Sequence, residues 1–220
     1  MNRVSRTVAF SRLLKYSQTA LTQSTLVIAL SMCSQAYAAA TPAKAAWVED
    51  DLQQSLTKEI VEMMQTQHFR KMPLDNALSS LLLDNYLKVL DPNRMIFLQS
   101  DINEFNTQYR NTLDDDLDSG KLVGAEAIYQ RYYDRFSSRL LWAAQQIEPL
   151  VKNEKFSGEE VIQTDRKKSS WPADLAAADV LWGEYLKNDI LNLRLADKPT
   201  DNIGTTLLRR YKLQLERLNR

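Results

Sequence analysis

From about residue 49 onward, apolar residues recur every three or four positions, the spacing of a helix with one covered face. Leu52, Leu56, Ile60 and Met63 or Met64 share a face of a first helix expected from Glu49 to about His68. Pro73 closes that segment, because proline lacks a backbone N–H and disfavours helix in the residue before it. A second helix is expected from an N-cap at Asp75. Ala77, Leu78, Leu81, Leu82, Asn85, Leu87 and Val89 leave it little polar surface, so it reads as the most buried helix. Asp91-Pro92 stops it, and "NRMIFL" connects to a third helix capped at Ser100-Asp101, with Glu104 placed as a capping-box partner. Ile102, Phe105, Tyr109 and Leu113 give the third helix its apolar face. The acidic stretch Asp114–Lys121 should end it. Carboxylates at a helix C-terminus are unfavourable, so this end is expected to fray early.

A long fourth helix is expected from Ala125 to Val151, with Ile128, Tyr132, Phe136, Leu140, Ala143 and Ile147 as its buried stripe, widened by Tyr129, Tyr133 and Trp142. Pro149 should kink or end it. Residues 153–172 show no helical period, and "EVIQT" within them has the composition of a short strand. The segment reads as a long ordered connection, since Phe156 and Trp171 are costly to leave in water. A fifth helix follows from Ala173 or Leu175 to Leu195, with Leu181, Trp182, Tyr185, Leu186, Ile190 and Leu193 apolar. A sixth runs from Asn202 to the chain end. The expected fold is all-α: an irregular domain of about six helices, one long ordered connection and at most a very short β element. No fixed-period repeat suggests a solenoid.

The first forty residues break the pattern. Arg3, Arg6, Arg12 and Lys15 form a basic, acid-free leader; Thr25–Met32 is apolar but too short to span a bilayer. Ala36-Tyr37-Ala38 then puts small residues where signal peptidase needs them. Residues 1–38 are therefore expected to be a cleaved signal peptide, cut between Ala38 and Ala39, with residues 39–48 a small-residue linker and 49–220 the helical domain. The alternatives are an uncleaved anchor and a lipoprotein box at Leu30–Cys33, in which Met32 is too bulky for its place. Loss of the leader would remove Cys33, the one cysteine, which suits an oxidising compartment.

Composition narrows the chemistry. The 28 basic and 28 acidic residues balance, giving no electrostatic reason to expect nucleic acid as a partner. One histidine, His68, makes a multi-histidine metal site impossible, and a Ser-His-Asp triad would have to use it without a nucleophile elbow. Asp114–Lys121 lacks the ligand order of a calcium loop and reads as a solvated acidic turn. Ser119 with Lys121, and Lys167 with Ser170, have the residue types of a serine–lysine dyad. Both lie in polar stretches where the lysine stays protonated and cannot act as a base. Arg209–Arg220 is basic and interleaved with Leu and Tyr; it reads as an amphipathic helix before a membrane or nucleic-acid binder. No catalytic, cofactor or metal residue is assigned. The chain stops on this helix without a capping glycine, which leads to the expectation that it is cut within a longer protein.

Two blocks carry a resemblance. In the first, His68-Phe69, Leu74-Asp75, Tyr86-Leu87, Leu90-Asp91, Phe97-Leu98 and Ser100-Asp101 occur in order. In the second, Asp165-Arg166, Trp171-Pro172, Leu181-Trp182 and Lys187 precede the "LNLRL" run, and "RRYK" follows at Arg209–Lys212. Over roughly residues 50–220 the chain resembles the N-terminal helical region of the tail-specific, carboxy-terminal-processing proteases of Gram-negative bacteria. The resemblance implies a periplasmic serine endopeptidase whose PDZ and serine–lysine catalytic domains lie outside this chain. It implies partners in those domains, in protein substrates and in an adaptor protein. No catalytic residue carries over. The residues that transfer are structural: His68, Asp91, Phe97, Asp101, Asp165, Arg166, Trp171, Pro172 and Trp182. The alternative reading is a free-standing periplasmic helical binding module, and the reading frame beyond Arg220 separates the two.

Overall fold

The structure is a computed structural model and describes residues 51–66, 73–153, 156 and 161–219. The expected signal cleavage at Ala38 and Ala39, the linker 39–48 and His68 lie outside these residues. Those described fall within one compact unit, 47–220. They form seven helices: α1 (Asp51–Thr66), α2 (Asn76–Leu90), α3 (Gln99–Tyr109), α4 (Leu113–Ser119), α5 (Val123–Asn153), α6 (Leu175–Leu195) and α7 (Thr200–Leu218). No strand occurs among the described residues, so the fold is all-α, with one helix more than the periodicity suggested.

The extra helix comes from a break. Ile102, Phe105, Tyr109 and Leu113 were expected on one continuous helix, but α3 stops at Tyr109 and Leu113 opens α4. Ser79, fully buried on α2, stitches the break. Its hydroxyl donates to the Tyr109 carbonyl at 3.3 Å and accepts from the Leu113 N–H at 2.9 Å. Asp114, Asp115 and Asp116 therefore stand in the first turn of α4, where carboxylates complement the positive end of the helix. The expectation of a fraying acidic C-terminus is overturned. Gly120 ends α4 with φ of +77°, a conformation that favours glycine, and a Cβ there would sit 2.8 Å from the Gln54 carbonyl.

Two hydrophobic cores result. The N-terminal core gathers Leu83 and Leu87 of α2, Phe97 of the connector that follows, Ile102 and Phe105 of α3, Leu113 of α4 and Ile128 of α5. Phe97 meets Phe105 edge-on, ring centroids 5.4 Å apart, as aromatic quadrupoles prefer. The C-terminal core gathers Leu140, Ala143, Ile147 and Val151 of α5, Trp182, Leu186 and Ile190 of α6, and Ile203, Leu207 and Tyr211 of α7. Helix α5 serves both and runs through Pro149, which neither ends it nor marks its boundary. Of its expected stripe, Ile128, Leu140, Ala143 and Ile147 are buried, while Tyr132 and Phe136 are half-buried.

Three further expectations change. Helix α2 is not covered throughout: Leu81 and Val89 face solvent, Leu78, Ser79, Leu83 and Leu87 are buried, and Leu82, Tyr86 and Leu90 are half-buried against the N-terminal core. Residues 161–164 of "EVIQT" are irregular, and Val161 is exposed. The apolar face of α1 is turned outward: Leu52 is 64% and Ile60 56% exposed, while Val61, off that face, is buried at 8%. Periodicity identifies the residues that share a face; it does not say what covers it.

Candidate functional site

The joint between α2 and α3, Leu90 to Gln99, collects most of the residues that carried the resemblance. Asp91 is 2% exposed and is the C-cap of α2. Its backbone N–H donates to the Leu87 carbonyl at 2.9 Å. Its carboxylate accepts from the N–H groups of Met95 (2.8 Å), Ile96 (3.0 Å) and Phe97 (3.1 Å). The Trp171 indole N–H, eighty residues on, donates to the same carboxylate at 3.1 Å. One side chain thus saturates three consecutive backbone donors that the chain reversal would leave unpaired. The reversal drives the Phe97 ring into the N-terminal core, where it has no exposure.

The connection before α6 is strapped to this joint at several points. The Gln99 N–H donates to the Pro172 carbonyl at 2.8 Å. Arg94 has the left-handed φ of +53°, uncommon for a residue with a Cβ. Its guanidinium donates to the Ser169 carbonyl at 2.7 Å and lies 4.2 Å over the Trp171 ring. The Trp182 indole N–H, from α6, donates to the Met95 carbonyl at 2.9 Å. Asp91, Phe97, Trp171, Pro172 and Trp182 are therefore brought together around one turn. Asp165 and Arg166 stand apart from it. Asp165 accepts from the Lys167 N–H at 3.2 Å and Arg166 donates to the Ser170 carbonyl at 3.1 Å, both within their own loop.

Asp101 makes a second buried centre. It was expected as an N-cap with Glu104 completing a capping box. Instead Leu98 is the N-cap, and Asp101, three residues in, accepts from the Leu98 N–H at 2.9 Å. Glu104 pairs with Arg131. Asp101 is 1% exposed and takes Arg131 at 2.5 Å and Arg135 at 2.9 Å, two guanidinium groups one turn apart on α5. Burial pushes its carboxyl pKa up. Hydrogen bonds from Arg135, the Leu98 N–H and Arg131 more than offset this, so the net pKa lies below the ordinary carboxylate value.

These buried carboxylates accept from backbone, indole and guanidinium donors of the chain itself, and so fix its path. The serine and lysine candidates are not assembled. The Ser119 hydroxyl donates to the Asp116 carbonyl at 2.8 Å, and Lys121, Lys167 and Ser170 are exposed. No cluster of three or more histidine, cysteine or acidic side chains among the described residues could hold a metal ion. No described helix is long and apolar enough to cross a membrane.

Sequence reasoning did not find Ser79, Arg131 or Arg135. The four-residue spacing of the two arginines marks a shared face of α5. Nothing in the sequence says which carboxylate meets it.

A family model described as the tail specific protease N-terminal domain matches residues 60–220. The chain is also similar to a curated tail-specific protease of Haemophilus influenzae (strain ATCC 51907 / DSM 11121 / KW20 / Rd), 38% identical over 165 residues. That match covers 75% of this chain and 23% of the relative, so the chain spans about a quarter of the length of the protein it matches.

Proposed function

This chain belongs to the tail-specific protease family, of which it carries the N-terminal domain, and from that premise we propose that it is a non-catalytic scaffold of a periplasmic serine endopeptidase. That enzyme would degrade or process proteins from their C-terminal tails. The helical domain would help to enclose the PDZ and serine–lysine catalytic domains, and would support docking of substrate or an adaptor protein. The observation that carries this reading is the joint itself. The Asp91 carboxylate takes four donors from the chain itself, and a buried side chain committed in this way holds shape. Hydrolysis by a serine–lysine dyad requires a nucleophile, a neutral lysine and oxyanion donors preorganised together. This domain would shape access to them.

The test is to incubate the purified chain with unfolded proteins bearing apolar C-terminal tails, beside its full-length form. The full-length protein should cleave and the chain should not. Turnover by the chain that disappears on Ser119→Ala or Ser170→Ala would sink the scaffold reading. Export is part of the proposal, supported by the basic leader, the short apolar run and Ala36-Tyr37-Ala38. Intact mass of the periplasmic protein should show a start at Ala39; retained Met1 or a lipid on Cys33 would refute it.

A further inference from the structure

Helix α1 is amphipathic in the wrong sense for a helix belonging only to this domain. It is anchored on α4 by few groups: Val61 is its one buried residue, and the Gln54 side chain donates to the Ser119 carbonyl at 3.0 Å. On its other side Leu52, Leu56, Ile60, Met63 and Met64 are all exposed. At 100° per residue they fall within about 120° of arc, a continuous stripe along four turns. Soluble proteins rarely leave an apolar patch of more than a few hundred Å² in water unless something binds it. Glu59 and Glu62 run along one edge of the stripe, both exposed and without an ion pair among the described residues. The stripe is therefore an apolar seam with an acidic margin.

We infer that this seam is the docking surface for an amphipathic helix supplied by the remainder of the full-length polypeptide, one whose apolar stripe is bordered by lysine or arginine. The inference rests on the scaffold reading above. Three observations select this occupant. About three quarters of the matched relative lies outside the matched region, so a full-length protein of that size would have ample polypeptide to cover the seam. The stripe spacing suits ridge-into-groove packing of a second helix. A second copy of α1 is disfavoured, because an antiparallel two-fold pair would set the Glu59 and Glu62 edge against itself.

The experiment measures hydrogen exchange along α1 in the full-length protein and in the 220-residue chain, with a Leu56→Lys/Ile60→Lys double variant of each. A Val89→Lys variant is the control, because Val89 is an exposed apolar residue on α2, away from the seam. Exchange in α1 should be at least about tenfold slower in the full-length protein. The double variant should abolish that protection and make the full-length protein susceptible to limited proteolysis. It should leave the urea midpoint of the 220-residue chain unchanged, and Val89→Lys should alter neither protein. Equal exchange in the two parents, or protection that survives the double variant, overturns the inference. So does protection in the 220-residue chain that rises with its concentration, which would assign the seam to a second copy. The scaffold reading is tested separately by deleting residues 49–220 from the full-length protein. If cleavage of tailed substrates is then undiminished, that reading fails whatever the exchange of α1 shows.

Discussion

The two cores are built differently. The N-terminal core is threaded with buried polar groups: Ser79 across the α3–α4 break, Asp91 inside the joint, Asp101 between two arginines. The C-terminal core is almost wholly apolar, with Leu140, Ile147, Leu186, Ile190, Ile203 and Leu207 at 2% exposure or less; its nearby Arg139–Asp179 pair lies at the edge, the aspartate being exposed. Apolar packing tolerates exchange of one hydrocarbon for another of similar volume. A buried carboxylate tolerates no such exchange, since removing it leaves donors unpaired. The N-terminal core changes direction three times within forty residues and needs polar groups to specify each turn. The C-terminal core packs long helices side by side and needs only volume.

The difference can be broken hardest at Asp91. Asp91→Ala leaves three backbone donors and one indole donor without their acceptor, and should cost roughly 4–6 kcal/mol. Hydrogen exchange should show the N-terminal core opening while α6 and α7 stay protected. Uniform loss of protection would show that the two cores unfold as one. Next is Trp182→Ala, expected to cost roughly 3–5 kcal/mol by removing a core aromatic. Trp182 packs in the C-terminal core and bonds to Met95 in the joint. Trp182→Phe should therefore recover most of the urea midpoint, and failure to recover would give the indole bond more weight than the packing.

Acid should separate the cores more gently. The Asp101 pKa is depressed, so its contribution is present above the unfolded-state value of about 3.9 and is lost as pH falls through the lower folded-state value. Circular dichroism of Asp101→Asn should show a weaker stability decline below pH 4 than the parent. Alkali is the smallest lever and the one that should not discriminate. Burial first, then nearby Tyr129 and Glu126, raises the Tyr86 pKa to about 12. Burial and Asp189 raise that of Tyr211 to about 12 in the other core. A raised tyrosine pKa means stability complete below pH 10 and lost as pH rises through about 12. Tyr86→Phe and Tyr211→Phe should each flatten part of that loss. A flattening by only one of them would place alkaline sensitivity in a single core.

Much of this architecture was legible. Asp75 caps α2 as its residue type invites, accepting from the N–H three residues on. The α6 set of Leu181, Trp182, Leu186 and Ile190 is buried as its spacing suggested. Local chemistry decides such features, so sequence carries them. The break before Leu113 was not legible, because it depends on a serine thirty-four residues upstream. Nor was the outward face of α1, since an apolar stripe reads the same whether its own domain or another covers it. The joint was half legible. Asp91-Pro92 announces a stop, and Phe97 is among the structural residues that the resemblance marks. The convergence of Met95, Trp171 and Trp182 on that turn links residues eighty or more positions apart, which no local pattern encodes.

Helix α5 has thirty-one residues and so runs about 46 Å. One end is gripped by the N-terminal core and the other by the C-terminal core. The Asp101 clamp on Arg131 and Arg135 and the Leu140–Ile147 stretch in the C-terminal core thus share one continuous helix, with no loop between them.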